Sequence, residues 1–473
     1  MVFNSLTFLV FFVVVLFLHN LRLPWSVKKV NLLVASYLFY AAWNPPFLLL
    51  LWASTAVDWA AALQIHRQTD PRRRKFWLIL SLLFNLSFLG FFKYGNWLQE
   101  NWAALMQLIG VEYVAPKWDI LLPVGISFYI FHSMSYTLDV YWKRVEPIGK
   151  LFDFALFVAF FTQLVAGPIL RTADLVPQFR QPRTATSNQM GWGLALMIFG
   201  LFQKVVLADA VLAPAADTVY GWGEPVNGID AWVATISFSV QVFFDFAGYS
   251  VTAIGAAMCM GFSIPDNFRT PFAATGVAEY WRRWHISFST WLRDYVYYPL
   301  GGSRKGELRT NINLMITLLI SGLWHGANWT FVAWGGLFGL MLCGERLLRR
   351  WTKGWRFPQG VWFAVCLMLL TFVLVSSMRV LFRSPTLTEA MSLYESMVGL
   401  HGSALPALSL YQIGLSTLCI AATLFAHWKM RDKALETVVA RTPSWVVVGA
   451  LSAMLFLTII TQGNGDGFIY FQF

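Results

Sequence analysis

His325 stands in Ser321-Gly322-Leu323-Trp324-His325-Gly326-Ala327-Asn328-Trp329, a polar break between two apolar segments. Imidazole exchanges protons near neutral pH, so it suits general acid–base work or activation of a hydroxyl nucleophile. An ionisable group at membrane depth is expensive to hold and is a functional-site hypothesis by default. A plainer alternative is that the ring donates to a carbonyl and stabilises a helix break. Gly322 and Gly326 favour chemistry, because they let backbone or substrate approach closely. Trp324, Asn328 and Trp329 are placed to wall a pocket there. His285 is the second candidate. On a continuous helix, Trp281 and Ser289 would share its face. It is equally readable as a residue snorkelling at a membrane interface.

Tyr470 is the third group. It is the only hydroxyl in Phe468-Ile469-Tyr470-Phe471-Gln472-Phe473, which follows Gly463-Asn464-Gly465-Asp466-Gly467. A hinged aromatic tail over 463–473 is expected to tuck into protein or membrane rather than stay in water. A phenol is a weak nucleophile until a neighbouring base activates it. The basic loop Gly301-Gly302-Ser303-Arg304-Lys305-Gly306, with Arg282 and Arg283, could cradle the phosphates of a nucleotide-like donor. It also reads as an ordinary positively charged turn. The chain has no G-x-S-x-G elbow, no H-E-x-x-H and no Walker pattern. Neither a serine hydrolase nor a metal site is therefore expected. Asp58, Asp139, Lys204, Asp209 and Asp245 fall in or near apolar runs, as relay groups or as internal pairs.

The elements that must hold these residues are membrane helices. Of 473 residues 57% are apolar and 12% charged, and the mean hydropathy is +0.57. A soluble domain carries roughly 25% charge. Apolar runs near the ~20 residues that cross a bilayer recur throughout. Twelve spans are read at 2–20, 30–44, 46–65, 76–93, 119–142, 190–211, 230–258, 310–324, 327–346, 358–381, 408–428 and 443–462. The net charge of +11 is clustered, at 66–75, 143–150, 171–183, 346–356 and 429–441, while 214–229 and 384–407 hold no Lys or Arg. This alternation is the positive-inside pattern and leaves no basic face for nucleic acid. It places both termini outside and the basic clusters in the cytoplasm. The Ala166-Gly167-Pro168 break makes 151–170 a re-entrant hairpin. The segment 265–309 is too polar to span and suits an interfacial helix anchored by Trp and Tyr. Four cysteines lie singly in apolar segments, with no disulfide framework. One continuous domain over 1–473 is expected.

Four stretches resemble the membrane-bound O-acyltransferase superfamily, and within it the membrane subunits that acetylate bacterial exopolysaccharides. They are Leu122-Pro123-Val124-Gly125-Ile126-Ser127-Phe128-Tyr129, Gln163-Leu164-Val165-Ala166-Gly167-Pro168-Ile169, Tyr280-Trp281-Arg282-Arg283-Trp284-His285 and Gly322-Leu323-Trp324-His325-Gly326-Ala327. The resemblance implies an all-α polytopic bundle of about 11–12 transmembrane helices, with re-entrant and interfacial helices around a central tunnel. It implies that His325 is the catalytic histidine. The implied donor is acetyl-CoA, used as a substrate, with no permanently bound cofactor. The implied partners are an extracytoplasmic acetyltransferase of the SGNH type, the exopolysaccharide synthesis complex and the lipids of a bacterial inner membrane. The tail with Tyr470 resembles that of a small partner protein in teichoic-acid D-alanylation, where a tyrosine is a candidate acyl carrier. Three positions depart from the family pattern: His132 replaces a common Gln, Val251 a frequent Asp and Phe338 a second histidine. D-alanyl transfer, and a transporter or flippase without covalent chemistry, are the alternatives.

Overall fold

A computed structural model describes residues 1–463 apart from 115, 117, 119, 165, 166, 359, 403 and 405. The hinge after Gly463 and the tail with Tyr470 lie outside the described residues. Every regular element among those described is helical. The long helices fall on the twelve expected spans. They are α1 Leu6–Asn20, α2 Trp25–Ala41, α3 Leu48–Arg67, α4 Pro71–Phe92, α5 Ile126–Tyr141, α6 Ser187–Tyr220, α7 Gly228–Cys259, α8 Glu307–His325, α9 Trp329–Trp351, α10 Val361–Arg383, α11 Leu410–Met430 and α12 Ser444–Thr461. Eight described helices are long and apolar enough to cross a membrane: α3 (with its leading turn from Pro45), α4, α6, α7, α9, α10, α11 and α12. Of the other four, α1, α2 and α5 are too short and α8 too polar to join them. The chain is an all-α polytopic membrane protein.

Two compact units emerge. One comprises Met1–Leu194 with Ala253–Pro265, the other Ala195–Thr252 with Asp266–Phe473. In the first, α3, α4 and α5 share a buried polar cluster. Ser81 Oγ donates to Asp58 Oδ1 at 2.5 Å, and Asn85 Nδ2 reaches both oxygens of that carboxylate at 2.8 and 2.9 Å. Ser54 Oγ donates to Asn85 Oδ1 at 2.6 Å and lies 3.3 Å from Ser133 Oγ. The segment after α5 is a nine-residue helix, Leu151–Ala159, interrupted at Phe160 and resumed over Phe161–Leu164. Both pieces are too short to span. His132 is fully buried in α5, and its Nε2 accepts from Leu170 N at 3.0 Å.

In the second unit α6 carries a π-helical stretch, Phe202–Leu212. From it Lys204 pairs with Asp209 at 2.9 Å and with Asp245 of α7. Asp139, in the first unit, pairs with Arg144 at 3.3 Å. The intramembrane carboxylates are thus held by internal hydrogen bonds and ion pairs.

Candidate active site

The segment 265–309 is not the continuous helix its composition suggests. A short helix, Val277–Arg283, stops at an extended Trp284, and His285 is left-handed (φ 41°) before Ile286–Leu292 begins. Trp281, His285 and Ser289 therefore do not share one helical face. Left-handed backbone disfavours a residue with a β-carbon by roughly 1–2 kcal/mol, so the turn needs support. Asn267 provides it. Its backbone carbonyl accepts from Ile286 N at 2.8 Å. Its Oδ1 accepts from Ser287 N at 3.2 Å and Ser287 Oγ at 2.8 Å.

That arrangement also sets the protonation of His285. A backbone N–H only donates, so the Asn267 atom facing Ser287 is its carbonyl oxygen. His285 Nδ1 lies 3.1 Å from the same oxygen and so carries the hydrogen. Nε2 keeps its lone pair, and it is buried with no hydrogen-bond partner among the described residues. Burial pulls the imidazole pKa down to about 3, which leaves the ring neutral at physiological pH. At 0% exposure His285 is an interior residue, not a snorkelling one.

His325 ends α8, and Gly326 to Asn328 turn the chain into α9. The two helices touch backbone to backbone. A β-carbon on Gly322 would meet Phe331 O at 2.2 Å, and one on Gly335 would meet Leu318 O at 2.3 Å. Only glycine permits this approach, and it brings α9 side chains against His325. Asn328 caps α9: its Oδ1 accepts from Thr330 N at 3.0 Å and its Nδ2 donates to Pro385 O at 2.8 Å. Its polar atoms hold the turn, while Trp329 is 52% exposed.

The His325 ring centroid lies 5.0 Å from Trp324, 5.0 Å from Trp334, 5.2 Å from Phe382 and 5.6 Å from Phe288. His285 lies 5.0 Å from Phe288 and 6.0 Å from Trp324. Phe288 and Trp324 are themselves 4.3 Å apart. Two buried imidazoles therefore flank one aromatic pair. Such a box excludes water and strengthens any electrostatic interaction inside it. Among the described residues no three His, Cys, Asp or Glu side chains group as a metal site.

The basic residues named from the sequence separate. Arg282 is exposed, three residues before His285. Arg283 is bound to Glu279 (Nη2 to Oε1, 2.9 Å) and donates to Arg431 O at 2.9 Å. Arg431 reaches Glu279 Oε1 at 3.0 Å in turn. Burial raises the Glu279 carboxyl, but the Thr275 N–H and hydroxyl with Arg431 outweigh it and hold the pKa at about 2. Arg283 is thus half of a clamp between this segment and the end of α11. Arg304 and Lys305 are exposed in the turn before α8. The nineteen residues of α8 put that turn about 27 Å from His325 at 1.5 Å per residue. Asn267, Phe288, Trp334 and Phe382 complete the site and carry no motif of their own.

Residues 147–381 match the model of the membrane-bound O-acyltransferase family. A probable alginate O-acetylase AlgI of Pseudomonas putida is 39% identical over 498 residues, covering 100% of both chains. The chain belongs to the membrane-bound O-acyltransferase family. It is accordingly an O-acyltransferase. Its similarity extends to the peptidoglycan O-acetyltransferase of Helicobacter pylori, 35% identical over 85% of this chain and 79% of that one. It extends more weakly to the teichoic acid D-alanyltransferase of Bacillus subtilis, 24% identical over 54% and 67%. The matched family region contains both histidines, Asn267, Phe288, Trp324 and Trp334.

Proposed function

We propose that this acyltransferase moves an acetyl group from cytoplasmic acetyl-CoA to a hydroxyl on the far side of a bacterial inner membrane, for O-acetylation of an exopolysaccharide of the alginate type. The observation that carries the reading is the convergence of His325 and His285 on Phe288 and Trp324. His325 takes the proton of the accepting hydroxyl as its oxygen attacks the thioester carbonyl. His285, neutral and with its lone pair on Nε2, offers an acceptor in the same aromatic box to a donor group of a bound substrate other than the attacking hydroxyl. The full-length similarity to proteins named alginate O-acetylases supports an acetyl group and a glycan as its final destination.

The accepting hydroxyl in this reading is Tyr470 or a serine of an SGNH-type partner. Arg282 is an exposed basic residue of this segment and would meet the donor's phosphates at the end of an extended pantetheine arm, away from the reacting carbonyl. Arg304 and Lys305 would meet them only at the distant end of α8. The test is intact-protein mass analysis with labelled acetyl-CoA, alongside release of free CoA thiol. His325→Ala is expected to abolish thiol release, and undiminished release sinks the assignment. Tyr470→Phe that still supports full glycan acetylation removes the acyl-tyrosine step and leaves the partner serine. A peptidoglycan acceptor is the second reading, motivated by the Helicobacter relative. Acetate analysis of cell-wall and extracellular glycans separates the two.

A further inference from the structure

Arg379 lies in α10 with 1% of its surface exposed. Its Nη2 donates to Tyr280 Oη at 3.1 Å, and its guanidinium carbon sits 4.5 Å from the Trp284 ring centroid and 5.3 Å from that of Phe382. No carboxylate pairs with it among the described residues, and its Nε has no hydrogen-bond partner there. One turn on, Arg383 is paired with Asp217 at 2.9 Å. A buried charge normally has an ionic partner, because desolvation is otherwise uncompensated. Two aromatic faces and a phenol oxygen recover only part of that penalty.

The neighbourhood explains the omission. Phe382 is shared: Arg379 lies against it at 5.3 Å and His325 at 5.2 Å. Trp334, whose ring is 5.0 Å from His325, has its indole N–H buried without a hydrogen-bond partner among the described residues. Trp281, 5.9 Å from Trp334, has the same. Arg379 Nε and the indole N–H groups of Trp334 and Trp281, each without an acceptor among the described residues, thus sit on or next to Trp334 and Phe382, the two rings packed against His325. An environment rich in donors and poor in acceptors favours a group that becomes negative there.

We propose that Arg379 is a charge-stabilising residue of the transfer at His325, its guanidinium taking the negative charge that forms on the thioester carbonyl oxygen. This rests on the reading of His325 as the general base. In the step, the hydroxyl oxygen bonds to the carbonyl carbon while its proton passes to His325. The carbonyl π pair moves onto oxygen, which then faces the guanidinium. Collapse restores C=O and breaks the C–S bond, and the thiolate of CoA leaves with the proton held by His325. Arginine suits this place better than lysine, because its planar, always-charged fork stacks on Trp284 while still presenting donors.

The test uses the full-length protein in lipid nanodiscs, with Arg379→Met, Arg379→Lys and His325→Ala. Thermal unfolding establishes that each variant folds. Arg379→Met is expected to lower kcat by about 10²–10³-fold, as for loss of an oxyanion donor, with the KM for acetyl-CoA unchanged. Arg379→Lys, which keeps the charge, is expected to fall between and covers the case in which Arg379→Met does not fold. A phosphonate analogue of the addition product, carrying negative oxygens where the carbonyl oxygen stood, is expected to bind wild type more tightly than either Arg379 variant. His325→Ala is expected to be inactive yet to bind the phosphonate. Wild-type kcat and phosphonate affinity in both folded Arg379 variants, with His325→Ala inactive, overturn the role of Arg379 alone. Activity retained in His325→Ala instead overturns the general-base reading beneath it.

Discussion

Two buried polar clusters in this chain are built on opposite terms. The one around Asp58 is closed: carboxylate, amide and hydroxyls of Ser54, Asp58, Ser81, Asn85 and Ser133 all find partners among themselves or nearby carbonyls. The one around His325 is open: Nε2 of His285, Nε of Arg379 and the indole N–H of Trp334 have no hydrogen-bond partner among the described residues. Burial is complete or nearly so in both. A saturated network orders helices, since each member would be costly to strand. An unsaturated one keeps its capacity for something that arrives. Counting partners, rather than polar residues, separates scaffold from site.

Substitutions can break this contrast. His325→Ala should produce the largest loss, about 10²–10⁴-fold in kcat as for removal of a general base, with thermal stability near wild type. Asp58→Leu should do the reverse. It strands the Ser81 hydroxyl and one Asn85 N–H, the other still reaching Ser81 O, at about 1–3 kcal/mol, lowering the unfolding midpoint while turnover per folded molecule is preserved. A turnover loss at Asp58 matching that at His325 would dissolve the distinction.

Asn267→Leu sharpens the contrast within the open cluster. It frees His285 Nδ1, so the ring no longer keeps a single tautomer. We expect a fall in kcat smaller than at His325, with KM for the donor unchanged, and partial recovery in Asn267→Gln. The smallest effect concerns the clamp on Glu279. Its folded pKa of about 2 lies below the ordinary glutamate value. The stability it contributes is therefore complete above about pH 4.3 and is lost as pH falls toward 2. Glu279→Gln should lower the unfolding midpoint at neutral pH, and the difference from wild type should shrink through that window. A difference that stays constant down to pH 2 would mean that Glu279 is not ionised in the clamp.

Much of the scaffold is legible in the sequence. Apolar run length and the placement of Lys and Arg locate the long helices, because the bilayer imposes both. His325 stood out for the same reason, as an imidazole between two apolar segments. His285 was harder. Its surroundings mix Arg, Trp and Ser, so composition suggested one interfacial helix, whereas a left-handed turn tied to Asn267 buries the ring. No local pattern announces a support eighteen positions away. Arg379 did leave a signal, as the first charged residue after the uncharged run from Val361 to Met378. Its lack of an acidic partner emerges only from three-dimensional packing. Arg304 and Lys305 stand a nineteen-residue helix away from the histidine, a separation that the residue count between them already carries.

The glycine contacts between α8 and α9 bear on how substrate size is set. With Gly322 and Gly335 carrying each other's backbone, the hairpin has no slack with which to widen around a larger acyl group. The side chains that an acyl group beside His325 would meet first are the rings of Trp334 and Phe382. Acyl preference in such a frame can drift by trimming one ring at a time, without remaking the helices that hold His325.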